Sequence, residues 1–334
     1  MFKEIIGKSK SSEQVRAFIS KASKLDWPVL LIGETGVGKE VVAWNIHHLS
    51  SRKSKPFVPV NLASIPFPLA ESELFGHRKG AFTDAKEEKT GLIEDCGGGT
   101  VFLDEITECS LDLQAKLLRL LEYRELRRVG ETTMRNVDAR FILATNKEPL
   151  KEIKQGRLRR DLYYRINVLK LRIPALRERK EDIPLFIEKF LQELKEGFRE
   201  EKRLSSKAWE KIMDYSFPGN VRELENLIRR AYIHAGGKEI KPEDISEEEE
   251  EEEEEEIPVK LFKEMVIKGQ SFWQVVHRPF LQRDLNRKQV KNILSLGLKE
   301  TGGSYKKLFS LFHGGEGEKD YKRFMRILKL HRLQ

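Results

Sequence analysis

Two clusters of residues carry the types and spacing that phosphoryl chemistry needs. The first is Gly33-Glu34-Thr35-Gly36-Val37-Gly38-Lys39-Glu40, which follows the apolar run Val29–Ile32 and precedes an apolar helical pattern beginning Val41-Val42-Ala43. Glycines at 33, 36 and 38 let the backbone curl until its N–H groups point at phosphate oxygens, and Lys39 brings a mobile positive charge to the β- and γ-phosphates. A buried strand, a glycine loop and a helix start, in that order, form a phosphate-binding loop for a nucleoside triphosphate. Glu40 stands where a magnesium-binding Ser or Thr hydroxyl ordinarily follows the lysine. The second cluster closes the run Cys96-Gly97-Gly98-Gly99-Thr100-Val101-Phe102-Leu103-Asp104-Glu105, an apolar strand ending in two adjacent carboxylates. Asp104 is placed to hold a hydrated Mg2+ and Glu105 to orient or deprotonate the attacking water, because phosphoryl transfer needs charge compensation and an in-line nucleophile. Either cluster alone has a bland reading; together they point to a nucleotide hydrolase.

The elements that must position them are legible as an alternation. Short apolar runs at Val29–Ile32, Phe57–Val60, Val101–Leu103 and Phe141–Ala144 are separated by longer helical patterns such as Leu111–Tyr123, which predicts a parallel sheet covered by helices. A fifth strand is expected at Val168–Ile173, ending at Pro174. Residues 180–235 show helical periodicity without strand signals, broken at Pro184 and at Phe217-Pro218-Gly219. The expected fold class is α/β, a P-loop parallel sheet with helices on both faces, followed by a small helical subdomain and an all-helical carboxy-terminal domain. The expected segments are 1–173, 174–245, an acidic linker at 246–257, and 258–334.

The formal net charge of +8 hides a strong asymmetry. Glu247–Glu256 is an unbroken run of ten glutamates, whereas residues 257–334 carry 17 Lys and Arg against 6 Asp and Glu, an excess of +11. Such a run repels itself and reads as a solvated spacer between domains. No apolar run approaches the roughly 20 residues that span a bilayer, and the opening MFKEIIGKSK lacks a signal-peptide core, so a cytoplasmic location without a membrane partner is expected. Cys96 and Cys109 give neither a disulfide framework nor metal-ligand spacing and read as packing residues. The adjacent His47 and His48 face different directions on one helix and do not read as a metal pair.

From Ile5 to Ile245 the chain resembles the AAA+ ATPase module of bacterial enhancer-binding proteins, the activators of sigma-54 RNA polymerase. The motifs occur in order: IIGKS, GETGVGKE, ESELFGHRKGAFTDA, GGGTVFLDEI, ATN, LRRDLYYRINV, LRERKEDIP and FPGNVRELEN. In that family a glutamate follows the P-loop lysine, which accounts for Glu40. The resemblance implies ATP as the nucleotide, Asn61 as the partner that holds Glu105 until nucleotide state releases it, and Thr145 and Asn146 beside the γ-phosphate or its water. It also implies that Arg159 and Arg165 lie in the segment supplying arginine fingers in trans, that Arg222 is the lid's sensor arginine, and that the active form is a ring, a hexamer. Gly80-Ala81-Phe82-Thr83-Asp84-Ala85 occupies the place of the family's GAFTGA loop, which contacts sigma-54 polymerase; here Asp84 replaces the second glycine. Asp tolerates φ > 0 better than most residues, but it sets a carboxylate beside the contact surface.

The tail resembles the Fis-type helix-turn-helix that ends many such proteins. Asn286 is expected to cap a helix to Lys299, Ser304 a second through Phe312, and a basic helix begins at Lys319, where Lys319, Lys322, Arg323 and Arg326 are available to DNA at an upstream activating site. Tyr321, Phe324 and Leu328 recur at helical spacing and read as core. The turn is longer than the family's, and an interaction domain without DNA contacts stays open. The module begins almost at Met1, so control is expected from a separate regulatory protein or from a missing amino-terminal portion. Three functions follow: an activator of sigma-54 polymerase, a DNA-binding AAA+ regulator that does not engage sigma-54, and a remodeller of another protein.

Overall fold

Five parallel strands form the central sheet of the computed structural model, which describes residues 5–81, 87–245, 258–259, 261–266, 269–282, 285, 287–313 and 317–330. They are β1 (Val29–Ile32), β2 (Phe57–Asn61), β3 (Thr100–Asp104), β4 (Arg140–Thr145) and β5 (Leu169–Arg172), in the spatial order β2-β3-β4-β1-β5. Every residue of β1 and β4 is buried, as expected of parallel strands covered on both faces and written as continuous apolar runs. The register pairs Val58 with Val101, Val101 with Phe141, and Val29 with both Ile142 and Leu169. This aligns the carboxyl ends of β1, β3 and β4, where a ligand sits in an open α/β sheet.

Helices fill both faces. On one side α1 (Lys10–Ala22) and α2 (Lys39–His48) bury Val15, Ile19, Val42 and Ile46 against Leu31, Phe102 and Ile142. On the other, α3 (Phe67–Phe75), α4 (Leu111–Tyr123) and α5 (Arg160–Ile166) cover Leu30, Val101, Leu103 and Phe141. Ser9 and Ser110 cap α1 and α4 by accepting hydrogen bonds from the Ser12 and Leu113 amides, satisfying donors that a helix start leaves orphaned. The thiols of Cys96 and Cys109 are buried, and burial pushes both up in pKa, that of Cys109 to about 12, so they are inert packing groups.

The sheet gives way to a helical subdomain of α6 (Ile183–Phe198), α7 (Ser206–Asp214) and α8 (Asn220–His234), packed around Ile187, Ile212, Leu224 and Ile228. Here the structure adds an element that the helical periodicity does not announce, a two-residue parallel ladder of Arg203–Leu204 with Glu239–Ile240. Two residues are too few to show a strand's alternation.

The chain divides into two compact units, Met1–Ile245 and Ser246–Gln334. In the second, α9 (Arg287–Glu300), α10 (Tyr305–Leu311) and α11 (Glu318–Leu330) enclose an aromatic core. Phe272 stacks on Phe312 at 6.2 Å between centroids and meets Phe324 edge-on at 5.0 Å. Ser304 caps α10, which stops at Leu311; the expected cap Asn286 and the acidic run lie outside the described residues. Phe324 and Leu328 are fully buried and Tyr321 packs against them. No described helix is long and apolar enough to cross a membrane.

Candidate active site

The loop between β1 and α2 needs glycine where it bends. Gly36 and Gly38 sit at φ 79° and 103°, conformations that L side chains rarely adopt, and Gly38 starts α2 without a side-chain cap. The first N–H groups of α2 are thereby left facing the hollow of the loop, where the helix end favours an anion. Lys39 is buried; its Nζ donates to the Gly33 carbonyl at 3.1 Å and to Glu105 Oε1 at 3.3 Å, and lies 3.9 Å from Asp104 Oδ1. Across the hollow, β3 delivers the two carboxylates. Asp104 Oδ1 accepts from the Glu105 amide at 3.0 Å, and Glu105 takes φ 57°, a strained conformation for this residue type that turns its side chain into the cluster. Its Oε2 accepts from the Asn146 amide at the end of β4 at 3.0 Å, and Asn146 Nδ2 donates to Thr35 Oγ1 at 3.3 Å. Three strand ends and the loop are thus tied by one polar cluster. Burial pushes the Asp104 carboxyl up, opposed by Lys39 and assisted by Glu105.

The helical subdomain closes the other side. The Val221 amide donates to the Gly36 carbonyl at 3.1 Å, and a Cβ on Gly36 would stand 2.1 Å from the Gly219 carbonyl oxygen and 3.2 Å from Arg222 Cβ. Asn220, buried and at φ 58°, donates from Nδ2 to the Thr35 carbonyl at 3.0 Å and to Glu34 Oε2 at 3.2 Å, while its Oδ1 accepts from the Leu176 amide at 2.8 Å. Arg177 grips Glu34 with both terminal nitrogens, at 2.8 and 2.5 Å, and its guanidinium holds that carboxyl down at about 2. Behind Gly38 opens a cavity of about 330 Å³ walled by Ile6, Val37, Val41, Ile173, Phe186 and Phe190. Its lining is mostly apolar, with Arg179, Lys189, Glu193 and Glu225 among it, and such a cavity beside a phosphate loop suits a nucleobase. The segment that follows its Ile5-Ile6 wall is anchored by buried Asp182, which accepts from the Lys8 and Ser9 amides at 2.7 and 2.8 Å and from the Ser9 and Ser12 hydroxyls at 2.7 and 2.6 Å. Arg179, also buried, donates to the Val37 carbonyl at 3.0 Å.

Comparison with known proteins meets this geometry. The family described as the sigma-54 interaction domain matches residues 5–172, half of the chain, and the AAA+ ATPase lid domain matches residues 177–260. The chain belongs to the sigma-54 interaction domain family. Similar sequences include the response regulator protein PilR of Pseudomonas aeruginosa, 46% identical over 242 residues, which are 72% of this chain and 54% of that one. The Nif-specific regulatory protein of Herbaspirillum seropedicae is 49% identical over 68% of this chain and 42% of its own length, and the DNA-binding transcriptional regulator NtrC of Rhizobium meliloti 44% identical over 68% and 47%. The chain therefore spans about half the length of the curated relatives it matches. Crystal structures of NtrX from Brucella abortus in complex with ATP and with ADP superpose with TM-scores of 0.68 and 0.67 at 28% and 27% identity, covering 98% of this chain and 69% and 70% of theirs.

In this sigma-54 interaction domain, Lys39, Asp104, Glu105, Asn146 and Thr35 come together as the motifs imply. Others stand elsewhere. Asn61 is not on Glu105: its Oδ1 accepts from the Ala63 amide at 3.0 Å, and both Glu105 oxygens are taken by Lys39 and Asn146. The expected holding partner is thus replaced by the P-loop lysine. Thr145 is fully buried and its hydroxyl meets Thr107 Oγ1 at 3.0 Å and accepts from the Lys147 amide, so it shapes the turn below Asn146 and does not face the hollow. Glu40 is exposed on the first turn of α2. Arg159 pairs with Asp161 at 2.6 Å, and Arg165 donates to the Leu121 carbonyl at 2.9 Å; neither joins the cluster of its own chain. Arg222 is exposed on the first turn of α8, its Cβ beside Gly36. Of the contact loop, Gly80 (φ 80°) and Ala81 are described, while Phe82, Thr83, Asp84 and Ala85 lie outside the described residues. On α11, Lys319, Lys322, Arg323 and Arg326 are exposed; Lys322 pairs with Glu318 and the Arg323 guanidinium lies 4.7 Å from the Trp273 ring centre.

Missed by sequence reasoning were Asn220, Arg177, Asp182 and the apolar cavity. All three residues lie inside motifs that carry the resemblance, Arg177 and Asp182 in LRERKEDIP and Asn220 in FPGNVRELEN, without a role being read for them; Asn220 carried a conformational signal as well, an Asn after Pro-Gly where a turn needs φ > 0.

Proposed function

We propose that this chain hydrolyses ATP as a ring oligomer, a hexamer, in the cytoplasm and uses the cycle to remodel sigma-54 RNA polymerase at promoters. The observation that carries this reading is Glu105, held between Lys39 and the Asn146 amide on the rim of the P-loop hollow. ATP entering there draws Lys39 to its phosphates and frees Glu105 Oε1 to take a proton from, or align, the attacking water, while Asn146 sits within reach of the γ-phosphate. The base fills the apolar cavity behind Gly38. Asp104 suits Mg2+: its side chain is 23% exposed, only Oδ1 is engaged among the described residues, and a hard cation asks for one or two carboxylates beside phosphates and water. When bound, the ion neutralises phosphate charge. Glu40 in place of a hydroxyl leaves Asp104 as the protein group that holds it, through water.

Arg159 and Arg165 stand apart from their own chain's cluster, which supports their acting on a neighbour's γ-phosphate. Arg222 serves as the lid's phosphate sensor. Gly80–Ala85 is read as the sigma-54 contact and the exposed basic face of α11 as the DNA contact. The NtrX complexes with ATP and ADP, and the names of PilR and NtrC, support the nucleotide and the regulatory setting. A second reading rests on Asp84, whose carboxylate departs from the family loop: a DNA-binding AAA+ regulator that leaves sigma-54 alone, or a remodeller of another protein.

Open-complex formation by sigma-54 polymerase on a promoter with an upstream site separates these. The protein is expected to open it with ATP, Phe82→Ala to hydrolyse ATP without opening it, and a chain lacking residues 258–334 to keep ATPase activity but lose specific DNA binding. A wild-type protein that hydrolyses ATP and binds its site yet opens nothing, with Asp84→Gly gaining that ability, supports the non-sigma-54 regulator. Failure of both supports the remodeller.

A further inference from the structure

The helical subdomain is fastened to the phosphate loop by contacts that bypass Arg222. Glu34, Thr35 and Gly36 lie inside the P-loop, and each has a partner beyond the sheet: Glu34 with Arg177 and Asn220, the Thr35 carbonyl with Asn220 Nδ2, and the Gly36 carbonyl with the Val221 amide. Asn220 is the hinge pin of this set, because the same amide group also holds the Leu176 N–H next to Arg177. The packing leaves no slack at Gly36, where even a methyl group would overlap the Gly219 carbonyl oxygen at 2.1 Å. The same loop runs on through Gly38 into Lys39 and the start of α2, which the nucleotide reading sets against phosphate.

We propose that Glu34, Arg177 and Asn220 form a latch that ties the helical subdomain to the state of the phosphate loop and sets how long nucleotide is retained. This rests on reading the loop as a nucleotide site. The latch holds the 34–36 backbone in one arrangement, the one a loop needs to curl around phosphate, so nucleotide is retained while the latch is closed and leaves when it opens. The three side chains are positioning residues, since none is asked to touch a reacting atom. Glu34 and Arg177 are both 42% exposed, so their pair is within reach of dissolved salt, whereas Asn220 is buried and insensitive to it.

The test is the release rate of ADP carrying a ribose-linked fluorophore from the full chain, chased with unlabelled ADP. Arg177→Met and Glu34→Gln are each expected to speed release about fivefold, the scale of a bidentate, half-exposed ion pair, and the double variant no more than either alone. Wild-type release should quicken between low and high salt more than that of Arg177→Met. Hydrogen exchange at the Val221 amide should be slowed by ADP in the wild type and less so in both variants. Asn220→Ala strands the Leu176 amide and the Thr35 carbonyl and so perturbs the fold itself; the two surface variants carry the test. Release within twofold of wild type, or single effects that multiply in the double variant, overturns the latch. Equal binding of the probe by wild type and Lys39→Ala overturns the nucleotide reading, and the latch with it.

Discussion

The two compact units are built on opposite principles. In Met1–Ile245 the informative contacts are polar and distant in sequence: Lys39 reaches Glu105, Asn146 reaches Thr35, Asp182 holds Ser9 and Ser12, each pairing across the fold. In Ser246–Gln334 the informative contacts are rings, Phe272, Phe312 and Phe324 around one aromatic centre, and its charges stand outward on α11. The first unit holds charged groups in place before a ligand arrives, and preorganised charge is what a reaction requires. The second holds a shape and keeps Lys319, Lys322, Arg323 and Arg326 exposed on α11, and the proposed DNA contact would draw on them through counterion release. On the proposed function, chemistry and attachment fall to separate units of one chain.

Variants can break that comparison. Lys39→Ala should abolish nucleotide binding, and Arg165→Ala should cut turnover about a thousandfold or more while ATP still binds, if arginine acts as a finger. A mixture of these two inactive proteins should recover part of the turnover, because each supplies what the other lacks. A mixture as dead as its parts, in subunits shown to assemble, removes the trans-acting role. Next in size is Phe324→Ala, which should cost the second unit about 3–5 kcal/mol of stability through the cavity it leaves. ATP turnover should survive, and a loss of turnover matching the loss of fold would show the units to be one cooperative body.

The smallest effect sharpens the polar side of the comparison. Burial alone would raise the Asp182 carboxyl, but donors from Ser12, Ser9 and Lys8 outweigh it and hold the pKa below its ordinary value. A depressed folded pKa contributes stability that is full above the unfolded value, near 4, and is lost as pH falls through the folded value. Asp182→Asn should therefore be less stable than wild type at pH 7, by about 1–3 kcal/mol for a buried acceptor set, and the gap should narrow below pH 4. A gap independent of pH in thermal unfolding from pH 7 to 3 would remove the linkage.

How far the sequence was legible follows the same division. The P-loop and the Asp104-Glu105 pair could be read because their chemistry is local: glycines that must bend, an apolar strand, a carboxylate at its end. The sheet was legible in its apolar runs, with β5 beginning one residue after the expected Val168 and stopping before Ile173. What escaped is whatever two distant segments make together. Glu34 and Arg177 are 143 positions apart, and nothing in either neighbourhood names the other. The cavity behind Gly38 draws its walls from the amino terminus, α2, Ile173, α6 and Val221, and no single segment looks like a pocket. Asn61 shows the converse. The resemblance gave it a role on Glu105, and the structure sets it opposite Asp104 in the register, but its side chain caps its own turn and leaves Glu105 to Lys39 and Asn146.

On the proposed function, one cluster binds ATP and one carboxylate in it, Glu105, turns ATP over. Glu105→Gln tests it most directly, measured for ATP affinity and hydrolysis rate on the same preparation. Its ATP affinity is expected to stay close to wild type and its turnover to fall by about 100- to 10,000-fold, the share of a general base. Normal turnover in Glu105→Gln would contradict it.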